Sequence, residues 1–242
     1  MKRTMCLIFF AGIMGLLFGA ADLPDLNEAR KLASEGKYEE ALKKHLWFYE
    51  ESKNSPGMGG VRLSYALDEW LELADKYPPA KKALIETRDK NESLILEGKG
   101  NFNNFHDLSS INRVLGEKEK TLELFRKVHK TQPELAVFLF IVAKDLLVEN
   151  KEYKICGEYI KDSIKEFENI RHLREVNLSI RRKSPQLDDE QMRTWIEDTY
   201  VNSTCQLIEI LLAIGKKDEA KDIQRRALEY HSHEKIKVQI ID

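Results

Sequence analysis

Four times along this chain a turn signal is followed, five residues later, by a small side chain inside a helix-forming run. Gly36 leads to Ala41, Gly116 to Thr121, Lys151 to Cys156 and Gly215 to Ala220. A small residue at a fixed offset from a turn is what two helices require where they cross closely. The spacing therefore constrains the chain to helix pairs joined by tight turns. One helical turn further on, Phe125 and Ile160 fill the expected apolar position, and His45 and Gln224 stand in their place in the other two segments. Composition agrees: 242 residues carry only 12 Gly and 6 Pro, with 42% hydrophobic and 33% charged residues. That excludes collagenous, disulfide-dense and low-complexity chains and favours an all-α fold.

The first 21 residues read as an address. Lys2 and Arg3 precede an apolar run from Met5 to Phe18, and Gly19-Ala20-Ala21 supplies small residues for cleavage after Ala21. This is the layout of a secretory signal peptide, and a run of roughly 15 apolar residues is shorter than the ~20 that span a bilayer. The expectation is an exported protein, periplasmic or extracellular, with no transmembrane span after cleavage. The longest remaining apolar stretch, Ala136 to Ala143, reads as a buried helix. Loss of Lys2 and Arg3 leaves 37 basic against 41 acidic residues, a net charge of −4. That balance gives no reason to expect a nucleic-acid partner. Cys156 and Cys205 remain as an even pair, either one disulfide or two buried thiols.

From residue 22 to 242 the pattern predicts a single helical domain. Helices are expected near 26–35, 37–54, 61–77, 78–97, 105–115, 117–131, 134–149, from 151 past Arg171, 189–214 and 216–231. Gly98 to Asn104 reads as a loop, and Arg181 to Pro185 as a break. Asp188 with Gln191 forms a capping-box pattern. Glu234 to Ile240 is expected as a frayed terminus or a short edge strand.

On Gly36-x-Tyr38-x-x-Ala41, on Gly116 with Thr121, Phe125 and Pro133, and on Tyr153, Cys156 and Ile160, the sequence resembles the tetratricopeptide repeat (TPR) family. The resemblance covers pairs near 25–53, 105–133, 134–168 and 202–232, with 61–97 either a degenerate pair or an insertion. It implies antiparallel helix pairs stacked as an α-α superhelix. The array is irregular, because the intervals from 36 to 116 and from 151 to 215 are not multiples of one repeat. It also implies a protein or peptide partner held on a concave face formed by the first helix of each pair. Carried over position by position, that face comprises Arg30; Asn103, His106, Ser110 and Arg113; Asp145; and Asn202 with Glu209. The Lys/Asn set with which some members clamp a terminal carboxylate has no counterpart.

Catalytic signatures are missing. The sequence has no H-E-x-x-H, G-x-S-x-G, G-x-x-x-x-G-K, C-x-x-C or Rossmann glycine run, so no catalytic, metal or cofactor residues are assigned. His231-Ser-His233 reads as solvated tail histidines. His45 reads as a core or half-buried histidine, and Trp70 and Trp195 as core aromatics. Trp47 is expected to point outward or between repeats. The stretch Arg171, Arg174, Arg181, Arg182 and Lys183 reads as a helix end balanced by Glu166, Glu168 and Glu175. The sequons at Asn91, Asn177 and Asn202 read as chance occurrences. The leading expectation is a non-enzymatic partner-binding scaffold. The alternatives are an exported helical hydrolase or lyase acting on polysaccharide, and a structural subunit of an envelope assembly.

Overall fold

A computed structural model describes residues 23–55, 57–183 and 190–239. The expected leader and the Asp188 capping pattern lie outside these residues. All regular structure among them is helical. The helices are α1 (Leu23–Ser34), α2 (Tyr38–Glu51), α3 (Met58–Leu63), α4 (Tyr65–Lys76), α5 (Pro78–Leu96), α6 (Phe102–Leu115) and α7 (Lys118–Thr131). They continue with α8 (Pro133–Glu149), α9 (Tyr153–Tyr159), α10 (Ser163–Lys183), α11 (Glu190–Ala213), α12 (Lys217–Tyr230) and α13 (Glu234–Lys237). The chain divides into two compact units, and the dividing line, between Ala143 and Lys144, falls inside α8.

The turns follow from one backbone device used repeatedly. Gly36, Gly98, Gly116 and Gly215 all have φ between 71° and 83°, and Lys151 has φ 59°. In each case the next residue donates its N–H to the carbonyl five positions back: Lys37 to Leu32, Lys99 to Leu94, Glu117 to Asn112, Glu152 to Leu147 and Lys216 to Leu211. This left-handed closure satisfies carbonyls that a helix end leaves unpaired, and glycine adopts it without strain. Lys151 adopts it against its Cβ. Replacing Lys151 with Gly is therefore expected to stabilise the protein by about 1 kcal/mol, read as a raised urea midpoint at unchanged slope.

The small residues sit where close crossing requires them. Ala41, Thr121, Cys156 and Ala220 have no exposed surface. In the first unit α1 packs on α2, α4 on α5, α5 on α6 and α6 on α7, and α4 also touches α1, α2 and α6. One core gathers Tyr49, Leu67, Trp70, Leu73, Leu84 and Ile111 around Ala41, Ala74 and Ala80. Residues 61–97 thus contribute the α4–α5 helix pair, with Pro78-Pro79 opening α5 and Ala80 fully buried at the crossing. In the second unit α11 packs on α9, α10, α12 and α13.

Several expected boundaries are corrected. The helix expected over 61–77 is broken at Ser64, whose φ of −123° and ψ of −87° separate α3 from α4. The loop expected over 98–104 is shorter, because the Asn101 side chain accepts from the N–H groups of Asn103 and Asn104 and starts α6 at Phe102. The helix expected from 151 past Arg171 is two helices. The Asp162 carboxylate accepts from the Lys165 N–H and begins α10 anew. The tail forms α13, with Ile236 fully buried and held by the Gln224 side chain, which donates to the carbonyls of Ile236 and Lys237. The arginine stretch does not interrupt α10 before Lys183. Of the alternatives left open for Cys156 and Cys205, both are free thiols, with Cys156 buried and Cys205 partly so. Burial pushes the Cys156 thiol up to about 11. Two sequon asparagines, Asn91 and Asn177, are buried.

The Ala136–Ala143 stretch is not a fully buried helix. Ala136, Leu139, Ala143 and Leu147 face the interior, whereas Val137, Phe138 and Ile141 are 58%, 66% and 74% exposed. No helix among the described residues is long and apolar enough to cross a membrane.

Candidate partner-binding face

Arg30 on α1 and Arg113 on α6 both reach α4. The Arg30 Nε donates to Glu69 at 2.9 Å, and its guanidinium also bonds the Tyr65 hydroxyl. Arg113 donates to the Asp68 carboxylate at 3.4 Å and to the Leu63 carbonyl at 3.3 Å. Two arginines assigned from separate pairs are thus joined through a helix that the sequence reading left without site residues. The missing members have a register. Arg30, Ser110, Asp145 and Glu209 each lie eleven positions before the small buried residue of their pair, and counting eleven back from Ala80 gives Glu69. Had Ala80 been recognised as that pair's crossing residue, Glu69 and Tyr65 would have been found with it.

The remaining first-unit residues differ in access. Asn103 is exposed at the start of α6. His106 is half-buried with its ring 5.5 Å from that of Phe102, and burial holds it below the usual imidazole range. Ser110 is buried at 9% exposure. Counting back fifteen and eighteen positions from Thr121 gives His106 and Asn103, and the same count from Cys156 gives Ile141 and Phe138. The exposed apolar pair on α8 therefore occupies the register that α6 fills with His106 and Asn103. The sequence reading carried only Asp145 from this helix.

In the second unit, the Asp145 carboxylate accepts from the Gln206 amide at 2.9 Å, and Glu209 accepts from the Tyr153 hydroxyl at 2.6 Å. The hydrogen bond to Glu209 raises the Tyr153 phenol. Asn202 is exposed on α11, the helix that also carries Gln206 and Glu209.

Arg171 and Arg174 of the basic stretch, and the tail histidine His231, enter a charge-compensated network. Arg171 donates to Glu168 at 2.9 Å and stacks over the Tyr230 ring at 4.5 Å. Arg174 reaches Glu197 at 3.4 Å and lies 5.5 Å and 5.6 Å from the ring centres of Tyr200 and Tyr230. His231 bonds Glu197 and is not a solvated tail residue. The buried Tyr200 hydroxyl donates to the Ala227 carbonyl, and burial pushes it up to about 12. A phenol held this far from ionisation is a poor general base at neutral pH. Among the described residues no group of three or more His, Cys, Asp or Glu is placed to hold a metal ion.

Trp47 points outward, as expected, at 47% exposure, with the Lys44 ammonium 5.7 Å from its ring centre. Trp70 is in the core, its indole N–H donating to the Ala80 carbonyl at 3.0 Å.

Compared with protein-family models, with curated proteins and with solved structures, the chain matches none.

Proposed function

We propose that this chain is an exported, non-enzymatic helical-repeat scaffold of tetratricopeptide type that binds a protein or peptide partner along the first helices of its pairs. The observation that carries the reading is the exposure of Phe138 and Ile141 at the same register as Asn103 and His106, with Val137 exposed beside them. Three large apolar side chains on one helix face leave on the order of a few hundred Å² of apolar surface in water, the scale at which a patch marks an interaction site. The leader pattern of residues 1–21 supports export.

The test uses the full chain expressed with its leader and a photo-crosslinking residue at position 137. The expected result is a mature N-terminus at Asp22 and a specific adduct from the exported fraction. The same label at position 47 serves as control. The pair Phe138→Asp and Ile141→Asp should abolish the adduct while leaving stability within about 0.5 kcal/mol, because both sites are on the surface. Retention of the adduct in that variant would sink the assignment of this face.

A further inference from the structure

The outer face of α2 carries a charge pattern that is complementary to its own reverse. Glu39, Lys43, Leu46, Glu50 and Lys53 follow at i, i+4, i+7, i+11 and i+14, so they form one stripe along the helix and the turn that closes it. All five are exposed, Leu46 at 37%, and Trp47 stands beside the stripe at 47%. The other side of α2 enters the core through Ala41, His45, Phe48 and Tyr49. The stripe runs acid, base, apolar, acid, base. Each end is an ion pair within the chain: Lys43 lies 2.8 Å from Glu39, and Lys53 lies 2.8 Å from Glu50. All of these residues belong to the first unit.

A helix face that meets only water gains from such i,i+4 and i,i+3 pairs, but it gains nothing from a leucine and a tryptophan between them. An apolar centre with a charged rim is the layout of a small protein interface, and tryptophan is among the residues that carry most of the energy there. Reversing the stripe exchanges every acid for a base. An antiparallel copy of the same helix therefore sets its Glu50 against Lys43 and its Lys53 against Glu39. Two-fold symmetry makes each contact twice and brings Leu46 against Leu46. A parallel copy in register would set every acid and every base against itself. A foreign segment would need these four charges in this order, and a second copy has them by identity.

We propose that the occupant of this face is a second copy of the chain, held by an antiparallel α2–α2 contact about a two-fold axis at Leu46. The contact uses no residue of the α8 face, so it stands or falls separately from the partner-binding reading. Two helices alone bury an area at the small end of the specific range, so the dimer is weak, with a Kd on the order of 10–100 μM.

Sedimentation equilibrium of the full mature chain over a concentration series should therefore show a monomer–dimer equilibrium. Lys43→Glu alone sets a carboxylate against Glu50 at both contacts, and Glu50→Lys alone sets an ammonium against Lys43 at both. Each variant should self-associate at least about tenfold more weakly. Mixed in equal amounts, the two variants again have opposite charges at every contact, and the dimer should return. Misfolding of either variant could not produce that recovery. A photo-crosslinking residue at position 47 should yield a self-adduct of twice the chain mass, distinct from the partner adduct sought at position 137. A monomer at every concentration would overturn the proposal, as would a dimer that survives Leu46→Asp. Variants that fail to recover on mixing would overturn the antiparallel register, and an adduct at position 47 with a different protein would overturn the choice of occupant.

Discussion

Replacing Asp107 with Ala is expected to cost about 3–5 kcal/mol, much of the stability a domain of this size has to lose. Asp107 and Arg62 form an ion pair with side chains only 4% and 7% exposed, Nη1 to Oδ1 at 2.7 Å. The second carboxylate oxygen accepts from the Tyr49 hydroxyl at 2.9 Å, and the guanidinium lies 5.1 Å from the Tyr49 ring centre. Burial, with Asp107 close by, raises the Tyr49 phenol, so it stays protonated and donating. Truncation at Asp107 strands a cation among apolar groups. The Nε of Arg62 already lacks a partner, which leaves that cation little other support.

Urea unfolding at neutral pH measures the loss as a lowered midpoint. Tyr49→Phe removes one hydrogen bond to a charged acceptor and should cost about 1.5–3 kcal/mol. The double replacement Arg62→Met with Asp107→Leu should recover most of what Asp107→Ala loses, because the pair's own net contribution is small once both charges are gone. A loss below about 1 kcal/mol for Asp107→Ala would mean that water reaches the pair. The position matters because Asp107 follows His106, and Arg62 lies on α3 just before the helix that Arg30 and Arg113 grip. The pair fixes α3 against α6 and so helps set where α4 runs.

Sequence periodicity located the helix pairs because turn closure and close crossing are local demands: a residue tolerant of positive φ, then a small residue five later. Lys151 fits the rule at a cost in strain and was legible only from its spacing. The interruptions were not legible. Ser64, Asn101 and Asp162 each act through one or two short-range hydrogen bonds, with Gly60, with Asn103 and Asn104, and with Lys165, which neither apolar spacing nor a glycine marks. The exposed stripe on α8 was hidden for a different reason. Its core side is built from Ala136 and Ala143 with two leucines, while its outer side carries Val137, Phe138 and Ile141. Both sides are apolar, so hydrophobicity could not separate them, and side-chain size runs opposite to the usual expectation that the bulkiest residues lie inside. Arg30 and Arg113 were legible by register. Their partners on α4 were not, because the turn before Pro78-Pro79 lacks the glycine that marks the others.

Acid should weaken this fold well above the pH at which carboxylates titrate. His45 is 3% exposed, with its ring 6.2 Å from that of Trp70 and nearly parallel to it. Burial alone lowers its imidazole from 6.5 to about 4. The folded state therefore holds the neutral ring, while the unfolded chain binds a proton as soon as pH falls below about 6.5. The contribution to stability is complete above that value. It is lost progressively as pH falls toward about 4 and levels off below it, a total of about 3 kcal/mol. Half-buried His106 acts in the same direction with a smaller lever. Substitution by Phe, the residue that stands at the equivalent position 125, keeps a planar ring against Trp70 and removes the ionisable group. His45→Phe should therefore flatten most of the slope of stability against pH between about 6.5 and 4, leaving the carboxylate-dependent loss at lower pH in place. Chemical denaturation across that range in both proteins, with an NMR titration of the His45 ring, measures both. An imidazole titrating near 6.5 in the folded protein, or an unchanged slope in His45→Phe, would place water at that ring and remove the basis for the effect.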